Sequence, residues 1–222
     1  MLAIQLISDS IQPMTVEHTV EQALDKMHQY QVRHLPVIEK KTYRFLGLIS
    51  EEDLNGKPDQ LTLDTLQGVF VMVGIAPEQH LLDIVYLLSH NEITILPVYN
   101  NEKYLGCIRR QDPFRLLGKS VAFEPGGSMV EIWVQTRNYS LSEIARLAES
   151  ENIRITSLFI SDADIINDRI RITIKMDSNQ IDGVLASFER FGYEIAASYP
   201  ENSDYVSLLR ERYESLMHYL NV

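Results

Sequence analysis

A duplicated unit constrains this chain more than any other feature of its sequence. In each copy an amphipathic helix precedes Leu-Pro-Val, the next strand ends near a Gly, and an Asp follows that Gly after six residues. Each copy predicts the order strand, helix, strand, strand and short helix, which is too short to bury its apolar faces alone. The two copies are therefore expected to pack together. They contain Leu35-Pro36-Val37 with Gly47 and Asp53, then Leu96-Pro97-Val98 with Gly106 and Asp112.

The glycine and the turn after it are the candidate ligand site of each copy. Because Gly47 and Gly106 lack a Cβ, a ligand or another backbone segment can approach them closely. In the first copy Ser50 can cap the following helix and leave free amides facing a polar group. A purely structural role is the alternative, with Ser50 only a helix cap and Asp53 and Asp112 only first-turn acids that favour the helix dipole.

Over residues 1–118 the motif Leu-Pro-Val followed by Gly-apolar-apolar-Ser/Thr-x-x-Asp resembles the CBS domain, and the tandem copies resemble a CBS pair. The resemblance implies a cleft for an adenine nucleotide such as AMP, ADP or ATP, with no required cofactor. It implies contacts from Ser50 and Asp53 to ribose or phosphate, and an Asp carboxylate can accept hydrogen bonds from both hydroxyls of a ribose. The wall against adenine is expected from Ile11, Met14, His34, Leu35 and Pro36.

The second copy departs from this motif at one position. After Gly106, Cys107 and Ile108 comes Arg109, where Ser or Thr is expected, although Asp112 is retained. The guanidinium of Arg109 could fill the ribose volume and pair with Asp112, which would close the cleft. It could instead reach across the cleft and donate two hydrogen bonds to a phosphate. The sequence leaves these two alternatives open.

Composition and charge narrow the class of partner. The 222 residues include 20 basic and 31 acidic side chains, for a net charge of -11, and 45% are hydrophobic. This balance is typical of a soluble globular protein and opposes general binding to nucleic acid or to a membrane surface. Cys107 is the single cysteine, so no intrachain disulfide can form. Without a long apolar run or a basic leader, the chain is expected to be cytoplasmic.

Catalysis is not expected from this sequence. It contains no Gly-x-Ser-x-Gly, Walker, Gly-x-Gly-x-x-Gly or Cys-x-x-Cys motif. No two histidines have the three- or four-residue spacing that places two metal ligands on one helix face. His34 is the one histidine near the expected cleft, where packing or hydrogen bonding is its commoner role. We therefore expect no catalytic residue, no metal site and no enzymatic activity.

A second domain is predicted after residues 123–128, where Pro and two Gly residues interrupt the periodicity. The order strand, helix, strand, strand, helix, strand is the split βαβ of a ferredoxin-like fold. Over residues 128–200 the chain resembles an ACT domain. Members of that family often bind an amino acid in a Gly-containing loop, but the loop Thr136-Arg137-Asn138-Tyr139-Ser140 has no Gly. Ser140 and Glu143 instead predict a helix-capping box.

These inferences give an α+β protein with a tandem CBS domain pair and a C-terminal ferredoxin-like, ACT-like domain. The predicted bounds are 1–60 and 61–122 for the two repeats, 128–200 for the ACT-like domain and 203–222 for a terminal helix. The domain order also resembles the acetoin utilisation proteins. We expect a non-catalytic regulator that binds an adenine nucleotide, forms a homodimer and acts on an unknown protein. The alternative is an assembly module without a ligand, whose clefts are filled by side chains such as Arg109.

Overall fold

Helices and strands occur where the apolar periodicity of the sequence predicts them. The structure is a computed structural model that describes residues 1–8 and 10–200. The terminal helix predicted over 203–222 lies outside these residues. The chain divides after Gly118 into two units, which are described separately.

In the first unit the two repeats have the same order of elements. An isolated parallel bridge between Ile75 and Val98 stands in the second repeat where Met14 pairs in parallel with Val37 in the first. The first repeat contains β1 (Met14–Thr15), α1 (Val20–Tyr30), β2 (His34–Ile38), β3 (Phe45–Ser50) and α2 (Glu51–Leu54). The second contains α3 (Leu81–His90), β4 (Ile95–Asn100), β5 (Lys103–Arg109) and α4 (Gln111–Leu117).

Local capping signals begin these helices, and apolar stripes attach them to the core. Thr19 caps α1, because its hydroxyl accepts from the Gln22 amide at 3.3 Å while the Gln22 side chain accepts from the Thr19 amide at 3.1 Å. The apolar residues of α1 and α3 are spaced to lie on one face of each helix, and most of them are buried, while Leu24 and Val85 are only partly buried. The fully or nearly buried members are Val20, Ala23 and Met27 of α1 and Leu81, Ile84 and Leu88 of α3.

Strand pairing between the repeats makes each one incomplete without the other. Leu48 of β3 exchanges two backbone hydrogen bonds of 2.9 Å with Val71, which precedes α3 in the second repeat. In the matching place, Ser8 near the start of the chain donates to the Cys107 carbonyl of β5 at 2.9 Å. One continuous hydrophobic core runs from Ala3 to Ile108. The prediction that the copies pack together is therefore confirmed.

The two motif glycines face segments of this chain rather than an open cleft. A Cβ placed on Gly47 would lie 2.8 Å from the Phe70 Cβ and 3.2 Å from the Val71 carbonyl oxygen. A Cβ placed on Gly106 would lie 2.4 Å from the Ile7 Cγ2. Of the two possibilities that the sequence offered, close approach of another segment accounts for both glycines.

The second unit has the predicted ferredoxin-like topology. Its sheet has antiparallel neighbours, in the order second, third, first and fourth strand of the unit, and Val130, Ile132 and Val134 of the first strand point into its core. Its elements are β6 (Ser128–Gln135), α5 (Leu141–Ser150), β7 (Ile155–Asp164), β8 (Arg169–Met176), α6 (Asp182–Arg190) and β9 (Glu194–Pro200).

The predicted capping box at the start of α5 is only half formed. The Ser140 hydroxyl accepts from the Glu143 amide at 3.3 Å, as the sequence suggests. The Glu143 carboxylate does not return to the Ser140 amide. It accepts instead from the Tyr193 hydroxyl at 2.9 Å, because the fold brings Tyr193 next to it.

No helix within 1–8 and 10–200 combines the length and the apolar character needed to cross a membrane.

Candidate functional site

A cleft in the first unit contains three of the predicted site residues. Its volume is about 240 Å³, and both repeats contribute to its lining. The three predicted residues are His34, Ser50 and Asp53, which come from β2, from the end of β3 and from α2. The remaining lining residues are Leu48, Val71, Val73, Asn91 and Ile93.

Ser50 and Asp53 form a reciprocal capping box at this cleft. The Ser50 hydroxyl accepts from the Asp53 amide at 3.1 Å, and it lies 2.6 Å from the Asp53 Oδ2 as a donor. The same Oδ2 accepts from the Ser50 amide at 3.1 Å. Within the described part of the chain, Oδ1 of Asp53 has no hydrogen-bond partner. The box therefore fixes the orientation of a carboxylate that still has an acceptor oxygen available.

His34 links the first cleft to the second repeat. Its Nδ1 lies 3.1 Å from the Thr94 hydroxyl and 3.4 Å from the Thr94 amide nitrogen, while the Thr94 hydroxyl also accepts from the Arg33 amide at 3.0 Å. Because the Thr94 N–H is directed at Nδ1, this network assigns the proton of the neutral ring to Nε2. Nε2–H is then available as a donor to a ligand.

Burial makes the His34 imidazole harder to protonate. It lowers the pKa of His34 below the ordinary imidazole range; the positive charges of Arg110 and Arg33 act in the same direction, and the Asp53 carboxylate opposes them. The ring is therefore neutral at neutral pH.

We expect the lowered pKa of His34 to make the first unit less stable in mild acid. Below about pH 6.5 the unfolded chain takes up a proton that the folded ring does not, so stability falls with pH until the folded pKa is reached. Calorimetry at about pH 7.5 and about pH 5.5 should show a smaller loss of melting temperature in His34→Gln than in the wild type. His90→Gln, on the exposed end of α3, controls for loss of an imidazole. An equal loss in His34→Gln and the wild type would contradict this prediction.

Of the predicted wall residues, only His34 lines this cleft. Ile11, Met14, Leu35 and Pro36 are buried in the core and are not among the residues that line it. The apolar surface comes from Leu48, Val71, Val73 and Ile93 instead, because the core between the repeats covers the predicted residues.

The repeat itself contained a signal for the lining residues that the sequence analysis missed. Asn91 and Ile93 precede β4 at the positions that Tyr30 and Val32 occupy before β2. Each pair lines a cleft, the first pair beside Ser50 and the second beside Arg109. Aligning the two copies over their full length would have indicated both pairs.

In the second repeat Asp112 contacts the main chain of Arg109 and not its guanidinium group. The Arg109 amide donates to the Asp112 Oδ2 at 3.0 Å, which matches half of the capping box of the first repeat. Within residues 1–8 and 10–200, however, the Arg109 guanidinium forms no ion pair with Asp112. The other oxygen of Asp112 lies 3.8 Å from Arg115 Nη1. The ion pair that would close the second cleft is therefore not formed in the described structure.

Cys107 packs in the hydrophobic core of the first unit. It is fully buried on β5, and burial raises the pKa of its thiol to about 11. The thiol therefore stays protonated, as expected for a packing residue. Among the described residues, no group of three or more His, Cys, Asp or Glu side chains is arranged to hold a metal ion.

Sequence comparison agrees with the geometry of the first repeat. Residues 5–57 match the family model of the CBS domain. This repeat is a CBS domain. The second repeat has the same element order and the same Leu-Pro-Val and Gly-to-Asp spacing, so the first unit is a tandem CBS domain pair.

Several solved structures resemble this chain. A CBS domain pair/ACT domain protein from Thermotoga maritima aligns over 53% of this chain and 96% of its own, with 19% identity and a TM-score of 0.48. A putative acetoin utilization protein (AcuB) from Vibrio cholerae aligns over 53% and 90%, with 19% identity and a TM-score of 0.46. CBSX2, solved in complex with AMP, aligns over 52% and 95%, with 19% identity and a TM-score of 0.43.

Proposed function

We propose that the first CBS cleft binds the nucleoside part of an adenine nucleotide and that the protein is a non-catalytic regulator. The observation that supports this most is the combination of an oriented carboxylate with apolar walls in one cleft between the repeats. Asp53 supplies the carboxylate, and Leu48, Val73 and Ile93 supply apolar surface.

Asp53 has the geometry of a ribose acceptor. Its Oδ2 is held by the Ser50 amide and hydroxyl, so the carboxylate loses little further freedom when it binds. Its Oδ1 has lone pairs free to accept from a ribose hydroxyl, whereas Ser50 already donates twice to Oδ2. Ser50 thus acts chiefly by positioning Asp53, because its own hydroxyl is already used twice.

The size and polarity of the cleft fit a nucleoside better than a whole nucleotide. Its volume of about 240 Å³ lies below the roughly 300–1,000 Å³ typical of small-molecule pockets. An adenine ring is flat and apolar on both faces, and it needs few polar partners. The His34 Nε2–H is one donor that could reach a ring nitrogen. Phosphates would then lie outside this cleft, in solvent or against a basic group.

Ligand binding should stabilise the pair as a whole. Ser50 and Asp53 belong to the first repeat, while Asn91 and Ile93 belong to the second, so a ligand in the cleft contacts both. A ligand that binds only the assembled pair raises its melting temperature in proportion to the logarithm of ligand concentration. Thermal shift is therefore a direct readout of occupancy.

We expect Asp53→Asn to weaken nucleotide binding by about tenfold or more, because a charged hydrogen-bond acceptor for the ribose is lost. Asn retains an oxygen that can accept from the Ser50 amide, so the helix cap is largely kept. Calorimetric titration and thermal shift with AMP, ADP, ATP, S-adenosylmethionine, NAD and cyclic dinucleotides would measure the effect.

Glu52→Gln is the matched control for this experiment. Glu52 is the exposed neighbour of Asp53 on α2, and the substitution removes the same charge. Its affinity should stay within about twofold of the wild type. Equal weakening in both variants would indicate a general charge effect, and unchanged binding in Asp53→Asn would place the nucleotide elsewhere.

One feature of the CBS pair favours a second candidate, an assembly module that forms homodimers. Leu82 and Tyr86 of α3 and Phe114 of α4 are 69%, 58% and 67% exposed. Large apolar side chains on neighbouring helices are common at interfaces between copies. Failure of every nucleotide to bind, together with a dimer in analytical ultracentrifugation, would favour this candidate.

A further inference from the structure

One face of the sheet in the second unit carries no α-helix of the described part of that unit. Both α5 and α6 pack on the other face, where Val130, Ile132 and Val134 of β6 are buried with them in one core. Successive residues of a strand point to opposite faces, so the residues that alternate with these three lie on the uncovered side. This open face is formed by residues 129, 131, 133 and 135 of β6 and by their neighbours on the other strands.

Three large apolar side chains lie close together on the open face. Met129 is paired with Tyr199 of β9, and residues directly opposite each other in antiparallel strands point to the same side. Phe159 of β7 is paired with Thr173, which is itself paired with Glu131, so Phe159 lies on the same side in the next row. Met129, Tyr199 and Phe159 are 45%, 54% and 55% exposed. These three residues form the open-face patch, and clustered apolar side chains of this kind mark a contact surface.

The other end of the open face is already occupied by paired charges. Trp133 lies there, with the guanidinium groups of Arg169 and Arg171 at 4.5 Å and 4.7 Å from its ring centroid. Arg169 pairs with Asp164 at 3.1 Å, and Arg171 pairs with Glu131 at 3.5 Å. The open-face patch is therefore the part of this surface that gains most from apolar cover.

The open-face patch adjoins the end of the last described strand. Tyr199 is the last residue but one of β9, which ends at Pro200. Residues 201–222 follow directly and lie outside the described residues. Because Tyr199 belongs to the patch, this segment begins beside the uncovered surface, and a link of a few residues is enough to lay it across the sheet.

The sequence of this segment carries an apolar stripe. Leu209, Tyr213, Leu216 and Leu220 are four, three and four positions apart, a spacing that places side chains on one face of a helix. The charged residues at 210, 211 and 214 fall on its other faces. At about 1.5 Å per residue the stripe is about 16 Å long, and a sheet of four strands about 4.8 Å apart is about 14 Å wide. The stripe is therefore long enough to cross the open face.

We propose that residues 203–222 form a helix that packs its apolar stripe on the open-face patch of the same chain. Packing removes the stripe and Met129, Phe159 and Tyr199 from water, and it adds a layer opposite α5 and α6. An isolated helix of this length is marginal in water, so the segment needs such a surface to stay helical. The short link favours the sheet of the same chain over that of a second copy, because it gives a high effective concentration.

Hydrogen exchange measured by mass spectrometry on the full chain tests this proposal. In the wild type, backbone amides within 205–220 should exchange slowly, because their hydrogen bonds persist only while the helix is packed. Met129→Asp places a charge in the open-face patch, far from the segment in sequence. It should raise these exchange rates by about tenfold or more, because the helix would have to bury that charge. Unchanged emission of Trp133 would show that the second unit is still folded.

Gln135→Asp is the matched control. Gln135 is exposed on the same face, at the far end of β6 and outside the open-face patch. Its substitution adds the same charge, and exchange within 205–220 should stay within about twofold of the wild type. On the segment itself, Leu216→Asp should raise the exchange rates as Met129→Asp does. His218→Asp, on the opposite side of the predicted helix, should raise them far less.

Three results would overturn the proposal. Fast exchange throughout 205–220 in the wild type would show that the segment is not packed. Equal rates in Met129→Asp and Gln135→Asp would show that the open-face patch is not its contact. Slow exchange that is lost on dilution, together with a dimer that dissociates in analytical ultracentrifugation, would place the segment on a second copy. If Met129→Asp does not fold, unchanged exchange in Leu216→Asp would overturn the proposal by itself.

Discussion

Gly127→Ala should destabilise the second unit by about 3 kcal/mol or more. Gly127 precedes β6 with a φ of +84°, a conformation that costs a residue with a Cβ about 1–2 kcal/mol. A Cβ at this position would lie 1.9 Å from the Met176 carbonyl oxygen and 3.0 Å from its carbon. Because these atoms are backbone atoms of β8, the clash cannot be relieved by a side-chain rotation, and the start of the β6–β8 pairing must shift.

Urea unfolding followed by tryptophan fluorescence measures this effect in the intact chain. Trp133 is the single tryptophan and lies on β6, so its emission reports on the second unit alone. Arg169 and Arg171 lie 4.5 Å and 4.7 Å from its ring centroid, and unfolding removes both. In Gly127→Ala the urea concentration at the unfolding midpoint of the second unit should therefore fall, without a matching change in the first unit.

Gly192→Ala separates the clash from the backbone conformation. Gly192 has the same φ of +84°, but a Cβ there would meet no atom within 4 Å. We expect a loss of about 1–2 kcal/mol, from the left-handed conformation alone. Equal losses in the two variants would show that the contact with Met176 is relieved at no cost.

Gly47→Ala should destabilise the CBS pair by roughly 2–5 kcal/mol and also weaken nucleotide binding. The φ of +139° is strained for Ala, and the added Cβ would lie 2.8 Å from the Phe70 Cβ and 3.2 Å from the Val71 carbonyl oxygen. Relief requires movement of the 70–71 segment away from β3. Val71 lines the first cleft, so that movement changes the shape of the proposed nucleoside site.

Calorimetry measures the stability of Gly47→Ala, and nucleotide titration measures its ligand affinity. Gly56→Ala is the control, because Gly56 also has a positive φ, of +77°, but no atom within 4 Å of an added Cβ. It should cost about 1–2 kcal/mol and leave ligand affinity unchanged. A stable Gly47→Ala protein with normal affinity would contradict the close packing of β3 against the segment between the repeats.

The two clefts differ at one position of the duplicated motif. Both repeats place a residue at the end of the third strand and an Asp three positions later, and in both the Asp accepts from the backbone amide of that residue. With Ser50 the Asp also receives the side chain and is fixed as an acceptor. With Arg109 the side chain forms no ion pair with Asp112 among the described residues, and both Arg109 and Arg110 line that cleft.

Much of the fold could be predicted from the sequence because its signals are local. The helix stripes and the alternation along β6 each involve residues within a few positions of one another. The repeat then supplied the one long-range inference, that the copies complete each other. The capping box predicted at Ser140 is only half formed, since the Glu143 carboxylate accepts instead from Tyr193, 50 residues away.

The sequence by itself determined two repeats, a ferredoxin-like second unit and the presence of Ser50, Asp53, Arg109 and Asp112 near strand ends. Only the tertiary structure decided which residues share a cleft. The lining of the first site brings together residues 34, 48, 71 and 93, and no local pattern specifies which of these faces the cavity and which faces the core. Whether Arg109 pairs with Asp112 was likewise undecided by sequence, because a long side chain follows the shape and charge of surroundings that distant segments create.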